Sequence, residues 1–289
     1  MKQRVITALA LVVLLILVVW QIATPFFAIV IALFSAIAAN EIMHCAKIKN
    51  KVLLILGTAV AFIVPFFGSA SVLEPLVSTQ TWFDVINAVP RAVIVTVLLI
   101  IYFLAMLKGY SHTKFEDVAI TAIASLAVPS VFAMFILLRD IRGYETQQLG
   151  IYLIFYALIA ALVTDIGAQL GGMKFGKTQM SPNISPKKTI EGAACGIILS
   201  LVANAVALVI YNNVAAVGLT MKQAAVLLAA EPFIAFLGMM GDLTASVLKR
   251  NFGVKDFGKI FPGHGGVMDR FDSSMFTISL TYCIALFLV

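Results

Sequence analysis

The sequence is poor in what a water-soluble fold needs at its surface. Only 12% of its 289 residues are charged, 62% are hydrophobic, and the mean hydropathy is +1.05. A soluble domain carries roughly 25% charged residues, and a globule of this size cannot bury so much apolar surface. A soluble enzyme, a secreted scaffold and a disordered tail are excluded together. Cysteine is scarce as well. Cys45, Cys195 and Cys283 are scattered and odd in number, which gives neither a disulfide framework nor a thiolate metal spacing. Internal repeats, low-complexity tracts and a linker to a soluble domain are not evident. The net charge is only +6. Its basic residues fit the cytosolic face of a membrane protein better than a nucleic-acid partner.

What the chain does have is long apolar runs. Val5 to Ala39 is almost continuously apolar. As one helix it would reach ~52 Å, against a hydrocarbon core of about 30 Å. Two spans are expected, turning at Gln21, Thr24 and Pro25. Lys2, Arg4 and the Ala36-Ile37-Ala38 triplet have a signal-peptide look, but a signal core runs only ~7–15 residues. Further runs at about 52–68, 91–107, 118–138, 150–170, 192–211, 223–243 and 273–289 bring the expected count to about nine. None alternates with period two, so helices are predicted throughout. The expected fold is an all-α polytopic bundle, one integral membrane domain over 1–289 with its catalytic half at about 150–289. Threading nine spans from a cytosolic N-terminus puts 16 of the 20 Lys and Arg inside, with only Arg91, Arg139, Arg142 and Lys222 outside. That is the positive-inside asymmetry, and it places the C-terminus outside.

Two cytosolic loops, about Gly171–Glu191 and Lys249–Asp272, are rich in Gly, Pro, Lys and Asp. Just before the second, Asp242, Ser246, Lys249 and Arg250 fall within an arc of roughly 100° on a helix, so they share a face. A carboxylate, a hydroxyl and two cations at a membrane boundary can bind a metal together with a phosphate. Basic residues meeting lipid headgroups are the plainer reading of Lys249 and Arg250. Asp242, at the edge of hydrocarbon, points to function. Gly263, Gly265 and Gly266 would let backbone N–H groups approach an anion. Asp269 and Asp272 are three apart and share a face at the start of the last helix, where either alone would also suit the helix dipole. Three carboxylates and a hydroxyl make a hard oxygen site, suited to Mg²⁺ and poor for zinc. His264 stands among glycines; phosphate hydrogen bonding or a loop role is expected of it ahead of metal ligation.

The stretch Ser246-x-Leu248-Lys249-Arg250-x4-Lys255-Asp256-x-Gly258-x2-Phe261-Pro262-x-His264-Gly265-Gly266-Val267-x-Asp269-Arg270-Phe271-Asp272 resembles, from end to end, the signature of the phosphatidate cytidylyltransferases. The resemblance implies a polytopic membrane enzyme that joins CTP and phosphatidic acid into CDP-diacylglycerol and releases pyrophosphate. It also implies Mg²⁺, with K⁺ as a candidate second cation. Asp242 and Asp269 would hold metal, with Asp272 and Ser246 nearby. Lys249 would join the catalytic group. Lys255, Arg250, Arg270, His264, Gly265 and Gly266 would contact substrate.

Ser185-Pro186-Lys187-Lys188-Thr189-Ile190-Glu191-Gly192 looks like a second stretch of the same family. Ser185 suits an N-cap and Pro186 the first helical position. Lys187 and Lys188 would then oppose the dipole of a first turn, which argues for an anionic ligand such as a triphosphate; charge placed for topology is the alternative. Asp165, which by this resemblance would contact substrate, opens a third segment that resembles the family's and ends in Phe175-Gly176-Lys177. Here the chain departs from the pattern, with Gln169 where an aromatic is usual, Met173 for Arg, and Ala245 for Glu. Gly171-x4-Gly176-Lys177-Thr178 fits a P-loop by spelling alone. A span precedes it, and Pro182 and Pro186 interrupt the helix it would need. Glu231 lies inside the eighth span, eleven residues before Asp242 and on the same side. It would line a polar cavity or, in the preferred reading, bond a neighbouring helix.

These readings predict a multi-pass protein of the cell (inner) membrane with its active site on the cytosolic face. CTP, phosphatidic acid and membrane lipid are the expected partners, no nucleic acid is expected, and a second copy of the chain is a candidate partner. The alternative from another class is a secondary transporter using Glu231, Asp165 and Asp242 as an ion path.

Overall fold

The apolar runs fold as helices. The computed structural model describes residues 13, 16–68, 90–142, 147–182, 184–215 and 218–288. Most of the first expected span, with Lys2 and Arg4, lies outside the described residues, as do 69–89 of the long loop with Trp82. In order come α1 (Pro25–Cys45), α2 (Lys51–Ile63), α3 (Arg91–Lys108), α4 (Phe115–Ala122), α5 (Val128–Arg139) and α6 (Gln148–Phe175). A hairpin of β1 (Gln179–Ser181) and β2 (Ser185–Thr189) follows, then α7 (Ile190–Val214), α8 (Met221–Asn251) and α9 (Met268–Leu288). Among the described residues six helices are long and apolar enough to cross a membrane, α4 and α5 counting as one, and α2 and α3 are shorter apolar helices. The all-α expectation needs one correction, the two-stranded antiparallel hairpin.

α4 passes into α5 through a π turn at Ile123–Ala127. Pro129 has no N–H to give the carbonyl four residues back. The ladder slips by one instead, and the Val128 N–H donates to the Ile123 carbonyl.

The chain divides into two compact units. The first comprises Met1–Leu137 and Asp256–Asp269, the second Leu138–Lys255 and Arg270–Val289. In the first, small residues let α1 and α2 approach closely. Ser35 donates to the Ala61 carbonyl at 2.8 Å and Asn40 to Thr58 at 3.0 Å. Asn50 caps α2, accepting from the Val52 and Leu53 N–H groups. Its amide also donates to the Ala105 carbonyl and to Thr113.

The second unit packs α6, α7, α8 and α9. α6 presents Gly167 and Gly171, and α7 presents Gly192 and Gly196, so both helices carry small residues four apart. A Cβ at Gly167 would come 2.9 Å from Gly196 Cα, and one at Gly196 2.5 Å from the Thr164 carbonyl. Backbones meet where no side chain fits, which is how apolar helices associate without a hydrophobic drive in lipid. α9 returns along α6 and α8. Thr277 donates to the Ala157 carbonyl at 2.8 Å, and Gln223 to the Leu288 carbonyl at 2.7 Å. Arg139 is fully buried and forms a two-pronged pair with Asp140, Nε at 2.7 Å and one terminal nitrogen at 2.8 Å.

Candidate active site

A polar cluster collects in the second unit where α6, β2, α8 and α9 converge. Gly241 is what permits it. A Cβ there would lie 2.6 Å from the Asp272 carbonyl oxygen and 2.6 Å from the Phe276 ring, so α8 and α9 touch backbone to backbone. Asp242 and Asp272 flank that contact and are electrostatic neighbours. Asp165 joins from α6, accepting from the Ser273 hydroxyl at 3.1 Å and lying within electrostatic reach of Asp242 and Lys188. Asp272 also accepts from the Ser273 N–H at 2.8 Å and feels Lys249 and Asp165. Lys188 pairs with Asp242, both about one quarter exposed. Three carboxylates and two ammonium groups therefore share one locus.

The hairpin delivers Lys188, and here the structure corrects the sequence reading. Ser185 is not an N-cap, and Pro186, Lys187 and Lys188 are not a helical first turn; they lie in strand β2. The cap is Thr189, whose hydroxyl accepts from the Gly192 N–H at 3.1 Å, and α7 begins at Ile190. Glu191 then stands in the first turn, where a carboxylate suits the dipole. It also accepts from the Lys177 and Thr178 N–H groups, fastening the end of α6 to the start of α7. A strand sends neighbouring side chains to opposite faces. Lys188 accordingly turns to Asp242, while Lys187 is exposed. The P-loop spelling is void, because Gly171 lies inside α6 and a hairpin follows it.

The glycine loop belongs to the first unit. Phe261 and Gly265 close it, with Phe261 N–H donating to the Gly265 carbonyl at 2.9 Å, and Gly263 and Gly265 take φ of 79° and 84°, open to glycine at no steric cost. Of its glycine donors that of Gly266 is spent on one of the protein's own carboxylates, and those of Phe257, Val267 and Met268 are spent likewise. Asp269 Oδ2 accepts from Phe257 N–H at 2.8 Å and Gly266 N–H at 2.9 Å. Glu41, reaching from α1, accepts from the Val267 and Met268 N–H groups at 3.1 and 3.0 Å. The Gly266 N–H thus serves Asp269, in place of the anionic substrate contact expected. A side chain at Gly258 or Gly266 would collide with Glu41. His264 keeps a buried Nδ1 with no hydrogen-bond partner.

Glu41 was missed in the sequence, where it stands two residues past the apolar run that ends at Ala39; a carboxylate at the end of a span is the signal that could have found it. Of the other residues singled out, Ser246 and Lys249 are half-buried on the Asp242 face of α8, while Arg250, Lys255 and Arg270 are exposed. Asp269 opens α9 three residues before Asp272. Gln169 and Met173 are exposed on α6, and Ala245 is buried on α8. Glu231 is fully buried and bonded by Ser200 of α7, the helix-bonding role preferred for it. An open apolar groove of about 390 Å³ runs between α6 and α7 past Leu170, Lys174 and Cys195. It faces away from Asp165, since residues 165 and 174 are half a turn apart in direction.

The donors at the cluster are oxygens only, with neither thiolate nor imidazole, which is the chemistry of a hard cation. Among the described residues no three His, Cys, Asp or Glu side chains are grouped tightly enough to cage an ion. That suits Mg²⁺, which is usually held by one or two carboxylates with substrate phosphates completing its shell.

Long apolar helices and a carboxylate–lysine cluster define a membrane protein equipped to handle a phosphorylated ligand. The chain belongs to the cytidylyltransferase family, whose model matches residues 2–288. It is 33% identical over 290 residues to the phosphatidate cytidylyltransferase of Bacillus subtilis (strain 168), covering 99% of this chain and 98% of that protein. It is 34% identical over 284 residues to the phosphatidate cytidylyltransferase of Staphylococcus aureus (strain COL), covering 97% of each. The enzyme of that name from Staphylococcus saprophyticus is 42% identical over 137 residues, 47% of this chain and 50% of that protein.

Proposed function

We propose that this protein is a phosphatidate cytidylyltransferase of the cell (inner) membrane, converting CTP and phosphatidic acid to CDP-diacylglycerol and pyrophosphate. The observation that carries the reading is the family match over the whole chain, together with Asp165, Asp242, Asp272 and Lys188 at one locus.

A phosphate oxygen of phosphatidic acid attacks the α-phosphorus of CTP. The new O–P bond forms as the bond from that phosphorus to the bridging oxygen breaks, and pyrophosphate leaves with that electron pair. The attacking oxygen is already anionic, so no strong base is required. The barrier lies in bringing two polyanions together, and positioned cations lower it. Lys188 and Lys249 face the cluster and bind phosphate oxygens there. Arg250, Lys255, Arg270 and His264 hold the outer phosphates and headgroup, with Lys187 lending charge and Gly265 close backbone approach. Asp242, Asp269, Asp272 and Ser246 are the groups assigned to Mg²⁺, Asp269 on the signature alone; K⁺ is the second cation proposed. The bound metal would neutralise the triphosphate and stabilise the departing pyrophosphate.

The proposed topology is about nine spans, N-terminus cytosolic and C-terminus outside, with the cluster on the cytosolic face where CTP is found. A second copy of the chain is the further partner proposed, checked by the mass of the detergent-solubilised protein. The transporter alternative is not favoured, because the cytidylyltransferase family model matches residues 2–288. The test is pyrophosphate release by purified protein given CTP and phosphatidate. Release is expected with phosphatidate and not with diacylglycerol in its place. Release indifferent to the lipid would refute the assignment.

A further inference from the structure

Deep in the second unit, pairs of residues four apart on three helices meet around one carboxyl: Tyr152 and Tyr156 of α6, Ser200 and Asn204 of α7, Leu227 and Glu231 of α8. All are fully buried except Tyr152, at 6% exposure. Most of the donors are already committed. The Tyr156 hydroxyl donates to the Leu227 carbonyl at 2.7 Å. The Asn204 amide nitrogen donates to the Tyr156 carbonyl at 3.2 Å, which fixes the orientation of that amide. The Ser200 hydroxyl donates to Glu231 Oε1. Three oxygens are left without a hydrogen-bond partner: Glu231 Oε2, Asn204 Oδ1 and Tyr152 Oη. The Asn204 amide and the Tyr156 hydroxyl lie within hydrogen-bonding reach of the Glu231 carboxyl, and Tyr152 is its electrostatic neighbour. Stacking on Tyr211, with ring centroids 4.4 Å apart, holds the Tyr152 ring.

An amide oxygen and a carboxylate oxygen are acceptors only, so they cannot satisfy each other. A buried polar group left in that state is costly, a buried carboxylate more so. Pro232, the next residue on α8, lacks an N–H and takes the helical partner from the Leu228 carbonyl. One bond of the ladder is therefore missing beside the carboxyl, although α8 runs on as a helix. The free donors are oxygens, which suit alkali ions. One carboxylate balances one positive charge; a divalent ion would leave an uncompensated charge in an apolar interior.

We propose that Glu231, Asn204 and Tyr152 form a buried site for one monovalent alkali cation, Na⁺ or K⁺, that locks α6, α7 and α8 together. It stands apart from the Asp242 cluster, and it needs neither CTP nor lipid.

The test is thermal unfolding of the full-length protein in detergent, free of Mg²⁺ and nucleotide, in NaCl, KCl or choline chloride at equal ionic strength. Wild type is expected to melt several degrees higher in an alkali salt than in choline, with saturation; the more effective salt identifies the ion. Glu231→Gln is expected to melt alike in all three. Should that variant not fold, Tyr152→Phe is expected to weaken half-saturation by about tenfold. Asp242→Asn is expected to keep the wild-type salt response. Equal melting of wild type in all three salts, which a merely protonated or water-bridged Glu231 would give, overturns the proposal. So does a response that survives Glu231→Gln, or that Asp242→Asn abolishes. Substrate turnover is not the readout, so this result stands or falls apart from the enzymatic reading.

Discussion

Gly241→Ala probes how the carboxylates are brought together. The added Cβ would sit 2.6 Å from the Asp272 carbonyl oxygen and 2.6 Å from Phe276 Cδ2, where ordinary contact begins at 3.4 Å. α8 and α9 must therefore part by about 0.8 Å, the difference between those distances. Two effects compete. Alanine gains about 1 kcal/mol of helix propensity over glycine. Overpacking costs about 1–3 kcal/mol, and the upper part of that range applies because a backbone carbonyl cannot rotate out of the way. The variant should lose up to about 2 kcal/mol of stability and still fold. Turnover should suffer more, since a misplacement near 1 Å can cost roughly 10²-fold. The assay is kcat for transfer of the cytidylyl group alongside the melting temperature. A raised melting temperature with wild-type kcat would show that helix propensity dominates and that the glycine contact does not set the spacing of Asp242 and Asp272.

Three further outcomes are expected. Glu41→Ala strips the acceptor from two buried N–H groups, Val267 and Met268; at ~1.5–3 kcal/mol for each charge-assisted bond, a loss of at least about 3 kcal/mol should appear in denaturant unfolding, and an unchanged midpoint would refute the capping role. Lys188→Ala should lower kcat/KM for CTP at least about tenfold more than Lys187→Ala, because only Lys188 turns to Asp242 and a charged contact is worth about 1.5–3 kcal/mol; equal losses would contradict the strand geometry. Asp140→Ala removes the two-pronged acceptor of the buried Arg139 guanidinium and should cost about 1.5–3 kcal/mol in thermal unfolding, whereas a near-neutral effect would contradict a stabilising role for the pair.

Local patterns in the sequence carried well. The 3.6-residue geometry set Asp242, Ser246 and Lys249 on one face, and the length of the apolar runs marked out the helices. Readings that failed depended on partners far along the chain. Ser185-Pro186 fits a helix start as well as a strand; what decides is Glu191, reaching back to bond Lys177 and Thr178. The donors around Gly266 looked open to an anion because Glu41, 226 residues before Val267, does not announce its contact. The contact made by the glycines at 167, 171, 192 and 196 is legible only once α6 and α7 are paired, since close approach of two backbones belongs to both helices at once.

The most direct measurement is incorporation of radiolabelled CTP into lipid by purified protein with phosphatidate, with Mg²⁺ omitted and then restored, for wild type, Asp242→Asn and Asp272→Asn. Label should enter lipid only with phosphatidate and Mg²⁺ present, and should fall at least about 10²-fold in both variants, the scale of losing one electrostatic contact to the transition state. Incorporation at the wild-type rate in Asp242→Asn, or none in wild type under any metal, would contradict the account.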